Sequence, residues 1–102
     1  MSKSLSSIDH VAVQVSDVSS ALPYYTDNFQ CEVSYQDKTW ALLKFENINL
    51  ALVTKDEHPY HFAVIDKSLN KEKIKYHRDG IGYIYTKDLD GNFIEILDRS
   101  SR

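Results

Sequence analysis

The sequence is poor in the features that mark a secreted or membrane-embedded protein. It has one cysteine and two prolines in 102 residues, so Cys31 has no internal disulfide partner and is predicted to be a small packed residue. No apolar run approaches the roughly 20 residues needed to span a bilayer, and residues 1–7 lack the apolar core of a secretory signal. These absences predict a cytoplasmic protein that does not enter a membrane.

Positive charge is also scarce. Lys and Arg number 12 against 15 Asp and Glu, which gives a net charge of −3. A nucleic-acid-binding protein needs a basic excess to neutralise phosphates, so nucleic acid is not expected as a partner. What the sequence does contain is 42% hydrophobic and 12% aromatic residues, including seven tyrosines. At this length we expect a single sheet-rich domain over residues 1–102.

The first half of the chain alternates between strand and helix patterns. Strands are predicted at 8–15, 32–36, 38–45 and 48–54, and a short amphipathic helix at 21–29. In the first strand a valine stripe alternates with His10, Ala12 and Gln14, so these three residues share the opposite face. A helix that begins near Ser19 or Ser20 would place Pro23 in its first turn, where a missing N–H costs little.

The second half repeats this order with one strand fewer. Strands are predicted at 60–65, 81–88 and 92–98, and a weak, solvated helix at 66–79. Residues 89–91 form a hairpin connection in which Gly91 can supply a positive φ. The chain is therefore predicted to be an α+β protein with a βαβββ module at about 8–54 and a shortened βαββ module at about 60–98.

Four segments resemble the signatures of the vicinal-oxygen-chelate superfamily, which includes glyoxalases, bleomycin-resistance proteins and extradiol dioxygenases. They are IDHVAV at 8–13, YYTDNF at 24–29, HFAV at 61–64 and KDLDGNFIEI at 87–96. The resemblance implies paired modules in a cup-shaped mixed sheet with helices on the convex side. It also implies a concave side that holds a divalent metal and a small substrate.

The family's metal-ligand positions match His10, His61 and Glu95. A fourth family ligand would fall near Ala51, which cannot coordinate, so the resemblance favours a three-ligand site over the four-ligand glyoxalase type. Glu95 lies in the apolar run 93–97, where a buried charge is costly, so it either faces solvent or has a cationic partner. Without the resemblance, each histidine would be interpreted as a hydrogen-bonded structural or surface residue.

Three aromatic residues are candidate substrate contacts. If Asp88 pairs with Asn92 around the hairpin, Tyr85 falls opposite Glu95 and Tyr83 opposite Leu97. Trp40 is the third candidate. All three are otherwise interpreted as core or sheet-surface aromatics.

A site with two imidazoles and one carboxylate leaves positions for a substrate that chelates through two neighbouring oxygens. Such a mixed donor set suits Fe, Mn, Ni, Co or Zn better than Ca or Mg. The first functional hypothesis is therefore a metal-dependent lyase, transferase or dioxygenase. The alternatives are a metal-free binding protein like the bleomycin-resistance members, and a degenerate structural or regulatory subunit. In each case we expect a homodimer, because so small a domain gains burial by pairing.

Overall fold

The computed structural model describes residues 5–56, 58–65, 75–76 and 82–98. In chain order its elements are β1 Ser7–Val15, α1 Val18–Asn28, β2 Glu32–Gln36, β3 Trp40–Lys44, β4 Asn49–Thr54, β5 His61–Ile65, β6 Lys75–Tyr76, β7 Gly82–Lys87 and β8 Phe93–Asp98. The chain divides into two compact units. We call His10–His61 the first unit, and Met1–Asp9 with Phe62–Arg102 the second unit. The predicted α+β class is confirmed, and the prediction of a single domain stays a prediction.

The first unit is built on a mixed sheet with the strand order β2-β3-β4-β1. β2, β3 and β4 are antiparallel neighbours, whereas β1 and β4 run parallel. Parallel strands cannot be joined by a tight turn, and α1 with β2 and β3 forms the long connection that this pairing requires. In the parallel register, His10 pairs with Asn49, Ala12 with Ala51 and Gln14 with Val53.

One face of this sheet packs on α1. Its buried core consists of Val18 and Leu22 from the helix and three strand residues, namely Ala41, Leu43 and Leu52. Val13 and Val15 of β1 pack against the same core, as the valine stripe predicted. On the opposite face, Ala12, Ala51 and Val53 form a second buried cluster, against which Trp40 and Leu42 pack.

The helix begins earlier than the sequence predicted. Asp17 is the N-cap, and its carboxylate accepts hydrogen bonds from the Ser20 N–H and the Ser20 hydroxyl, both at 2.8 Å. Pro23 therefore lies in the second turn and not in the first, as expected from a start at Ser19 or Ser20. Pro23 and Ser19 are both exposed, so water can bond the Ser19 carbonyl that lacks a partner at position 23.

The second unit has the strand order β5-β8-β7-β6. β7 and β8 form the predicted hairpin, in which Gly91 has a φ of 87° and the Asp88 carboxylate accepts from the Asp90 and Asn92 N–H groups. Of the segment 66–79, predicted to be helical, only Lys75 and Tyr76 lie inside the described residues. There the prediction was wrong, because these two residues form β6 and pair with β7; the rest of the segment lies outside. Among the described residues, no helix is long and apolar enough to cross a membrane.

Candidate metal centre

β1 and the start of β5 bring two imidazoles together in the first unit. The Nε2 atoms of His10 and His61 lie 3.4 Å apart, and the rings meet edge to face at an angle of 77°. His10 is only 8% exposed and His61 is half-buried. The alternation of β1 makes this possible, since His10 shares the face of Ala12 and points away from the helix.

A backbone carbonyl fixes the tautomer of His61. Its Nδ1 lies 2.8 Å from the Pro59 carbonyl oxygen, and a carbonyl only accepts, so Nδ1 carries the proton and donates. In the neutral ring, Nε2 then carries a lone pair directed at His10. Metal-binding histidines are usually held in this way, by a hydrogen bond from the nitrogen that does not coordinate.

Glu95 is the buried acid of the second unit. It lies on β8, is 1% exposed, and pairs in register with Tyr85, while Tyr83 pairs with Leu97. This is the register predicted from the hairpin. The sequence predicted that Glu95 either faces solvent or has a cationic partner. The first of these predictions is wrong, because Glu95 is buried.

The two tyrosines beside Glu95 hold their protons tightly. Burial raises the pKa of Tyr83, and the negative charge of Glu95 raises it further. Burial raises the pKa of Tyr85 even more strongly, followed by the charges of Glu95 and Tyr83. Both phenols are therefore neutral hydrogen-bond donors throughout the physiological pH range.

The Nε2 atoms of His10 and His61, 3.4 Å apart, are close enough to bind the same ion. Two ligands at a typical length of about 2.1 Å stand at most about 4.2 Å apart, so the two imidazole nitrogens are already within the range of a shared metal. Two imidazole nitrogens and one carboxylate oxygen are a donor set for Mn, Fe, Co, Ni or Zn. The residues present therefore fit a divalent metal.

The β1–β4 register changes the interpretation of the fourth position. The sequence placed it at Ala51, but Ala51 lies beside Ala12, whereas the residue beside His10 is Asn49. Asn49 shares the face of His10 because its neighbour Leu50 packs on the helix side. Sequence reasoning missed this amide, because the family pattern points to Ala51, two residues further along the strand. Only the register between β1 and β4 could have revealed Asn49.

Trp40 lies on the same face of the first unit's sheet as His10, but further along it. Its register partner is Val53, which pairs with Gln14 on β1. The indole stacks on Tyr35 at a centroid distance of 4.3 Å and packs on the buried cluster that contains Ala12 and Ala51. Its role as a substrate contact stays a prediction, as do those of Tyr83 and Tyr85.

Similar solved structures agree on the fold. A hypothetical protein from Bacillus halodurans C-125 matches with a TM-score of 0.78 at 14% identity, over 95% of this chain and 96% of that one. Methylmalonyl-CoA epimerase from Mycobacterium tuberculosis matches with a TM-score of 0.69 at 17% identity, over 88% and 85% of the two chains. A glyoxalase/bleomycin resistance protein/dioxygenase superfamily member from Vibrio splendidus 12B01 matches with a TM-score of 0.61 at 11% identity, over 91% and 98%.

The sequence matches no protein-family model and no curated protein. At such low identities, what the solved structures share with this chain is its fold. That fold is the vicinal-oxygen-chelate fold, as the four sequence segments predicted.

Proposed function

We propose that this chain, which has the vicinal-oxygen-chelate fold, is a divalent-metal-dependent enzyme that acts on a small substrate with two neighbouring oxygens. The observation that carries the proposal is the pair of imidazoles of His10 and His61, whose Nε2 atoms lie 3.4 Å apart. Glu95, the third ligand that the resemblance implies, is the buried acid of the second unit and would bring a negative charge to a bound cation.

The ion would supply a charge that stabilises negative oxygen atoms of the substrate. The protein's own groups have separate tasks. Pro59 holds the His61 ring so that Nε2 is available as a ligand. The Tyr83 and Tyr85 hydroxyls, kept protonated by burial and by Glu95, donate hydrogen bonds to substrate oxygens. The reaction class is a lyase, transferase or dioxygenase, as proposed from the sequence.

The decisive experiment measures the metal content of protein purified without a metal-affinity tag. We expect close to one divalent ion per chain in the wild type and a loss of at least tenfold in His61→Ala. His58→Ala is the matched control, because His58 is a half-buried histidine outside the ligand group. Its metal content should equal that of the wild type.

Equal and substoichiometric metal in the wild type and in His61→Ala would rule the proposal out. The pair would then be an imidazole–imidazole hydrogen bond, for which the 3.4 Å separation of the Nε2 atoms is also suitable. A homodimer remains part of the proposal. Light scattering that gives a monomer mass over a wide concentration range would contradict it.

A further inference from the structure

Three hydrogen bonds between described residues of the first unit hold the connection between β4 and β5. The His58 N–H donates to the Thr54 carbonyl at 3.0 Å. The Gln14 side-chain Nε2 donates to the His58 carbonyl at 3.0 Å. The next carbonyl along the chain, that of Pro59, accepts from Nδ1 of His61 at 2.8 Å.

The two consecutive carbonyls are joined by a stiff piece of backbone. The peptide bond between them is planar and proline fixes its own φ, so ψ of Pro59 is the one backbone torsion between the two carbonyls that can rotate. A displacement of the His58 carbonyl therefore moves the Pro59 carbonyl carbon with it, and only rotation about ψ of Pro59 can offset the change at the carbonyl oxygen. The position of the acceptor for His61 thus depends on what holds His58.

Gln14 lies on β1 at a position from which its side chain can hold the His58 carbonyl. It lies four residues after His10 on the same face and pairs in register with Val53 near the end of β4. From there its amide reaches across to the β4–β5 connection. One strand thus provides His10 directly and, through Gln14, anchors the segment that orients His61.

We propose that Gln14 is a positioning residue for the metal site: it fixes the Pro59 carbonyl and so keeps the proton of His61 on Nδ1. This inference rests on the proposed metal-dependent function. When the His58 carbonyl is released, the His61 ring loses its fixed acceptor and carries its proton on Nε2 for part of the time. A protonated Nε2 has no lone pair for a metal.

The chemistry of an amide makes the proposal testable by substitution. Glutamate has the shape of glutamine, but its carboxylate only accepts, so in Gln14→Glu two acceptors face each other. Gln14→Met keeps a similar volume and removes the polar group altogether. Gln36→Glu is the matched control, because Gln36 is an exposed glutamine at the end of β2 and undergoes the same change of charge.

Two measurements are needed. The first is long-range ¹H–¹⁵N NMR of the histidine rings in metal-free protein, at an alkaline pH where a histidine ring is neutral. The second is the Kd for Zn²⁺, obtained by competition with a chromophoric chelator. In Gln14→Glu and Gln14→Met we expect the Nδ1–H form of His61 to decline and the Kd to rise about tenfold or more, the usual cost of losing an outer contact to a metal ligand. In Gln36→Glu both should match the wild type.

A wild-type His61 tautomer and a Kd within twofold of the wild type in both Gln14 variants would overturn the proposal. A fall in the melting temperature alone would overturn it as well, because Gln14 would then merely stabilise the strand end. If wild-type protein binds no Zn²⁺, the proposed function fails. The tautomer in metal-free Gln14 variants still decides separately whether Gln14 orients His61.

Discussion

The two faces of the first unit's sheet are built from the same strands but carry side chains of different size and polarity. On the helix face, Leu43 and Leu52 pack with Val18 and Leu22 into a core of large aliphatic side chains. On the other face the buried hydrophobic residues are two alanines and one valine, against which Trp40 and Leu42 pack. His10 and Gln14 extend that face along β1, and Asn49 lies beside His10.

The difference shows how the fold separates stability from chemistry. Large aliphatic side chains provide most of the hydrophobic stabilisation, in proportion to the apolar area they bury. The alanines next to His10 contribute little to the hydrophobic stabilisation. Their short side chains leave space for the Trp40 ring and for polar side chains. We therefore expect changes on the helix face to lower stability alone, and changes around His10 to alter metal binding.

The largest effect is expected on the helix face. Leu52→Ala should lower the free energy of unfolding by about 2–5 kcal/mol, because it removes a fully buried side chain and leaves a cavity. Urea denaturation measures the loss, and Val33→Ala, at an exposed position, should cost no more than about 0.5 kcal/mol. A tenfold loss of Zn²⁺ affinity in a still folded Leu52→Ala protein would contradict the separation of the two faces.

The second prediction extends the contrast to Glu95. Zn²⁺ at 100 times its Kd should raise the free energy of unfolding of the wild type by about 2.7 kcal/mol. In Glu95→Gln most of this increase should vanish at the same Zn²⁺ concentration, because the amide is a much weaker ligand than the carboxylate. Thermal unfolding with and without Zn²⁺ tests this, with Glu46→Gln, an exposed acid, as the control that keeps the full increase.

The third prediction concerns the turn between β2 and β3. Its residue Asp37 binds Tyr35 and Trp40, which lie on the face of the sheet that carries Ala12 and Ala51. Burial alone would raise the pKa of Asp37, but hydrogen bonds from the Tyr35 hydroxyl, from the Thr39 N–H and hydroxyl, and from the Trp40 N–H outweigh it and hold the pKa well below its usual range. Asp37→Asn should cost about 1.5 kcal/mol at neutral pH, the low end for hydrogen bonds to a charged group, because the site is only half-buried.

The pH dependence of this loss has a definite sign. A carboxylate with a lowered folded-state pKa stabilises the protein above its unfolded pKa of about 3.9, and this contribution is lost as the pH falls towards the folded value. The stability difference between wild type and Asp37→Asn should therefore be constant from pH 7 to about 5 and shrink below about 4. Asp27→Asn, on an exposed helix position, should show no such difference.

The smallest effect tests the register around His10. Asn49→Asp places a carboxylate beside His10 and should tighten Zn²⁺ binding about tenfold, or about 1.4 kcal/mol. Ala51→Asp, at the position that the family pattern suggests, should give no gain and should destabilise the protein by burying a charge. Isothermal titration of Zn²⁺ into both variants distinguishes the two positions, and a gain in Ala51→Asp alone would favour the family pattern over the observed register.

Much of the candidate site could be predicted from the sequence, because successive side chains of a strand always alternate between its two faces. Alternation placed His10, Ala12 and Gln14 on one face, and the hairpin around Gly91 set Tyr85 opposite Glu95. These are local relations of period two or of a short turn. The start of the helix was less accessible, because Asp17, Ser19 and Ser20 all have cap-forming side chains and only packing selects among them.

By itself the sequence determined the fold class, the face of each strand and the three candidate ligands, since these follow from alternation, turn residues and a recognisable pattern. Only the tertiary structure decided that Glu95 is buried, that Asn49 and not Ala51 stands beside His10, and that Gln14 holds the segment carrying the Pro59 carbonyl. The register of parallel strands and the hydrogen bonds of a loop join residues more than 35 positions apart in the chain. No local pattern specifies such distant pairings.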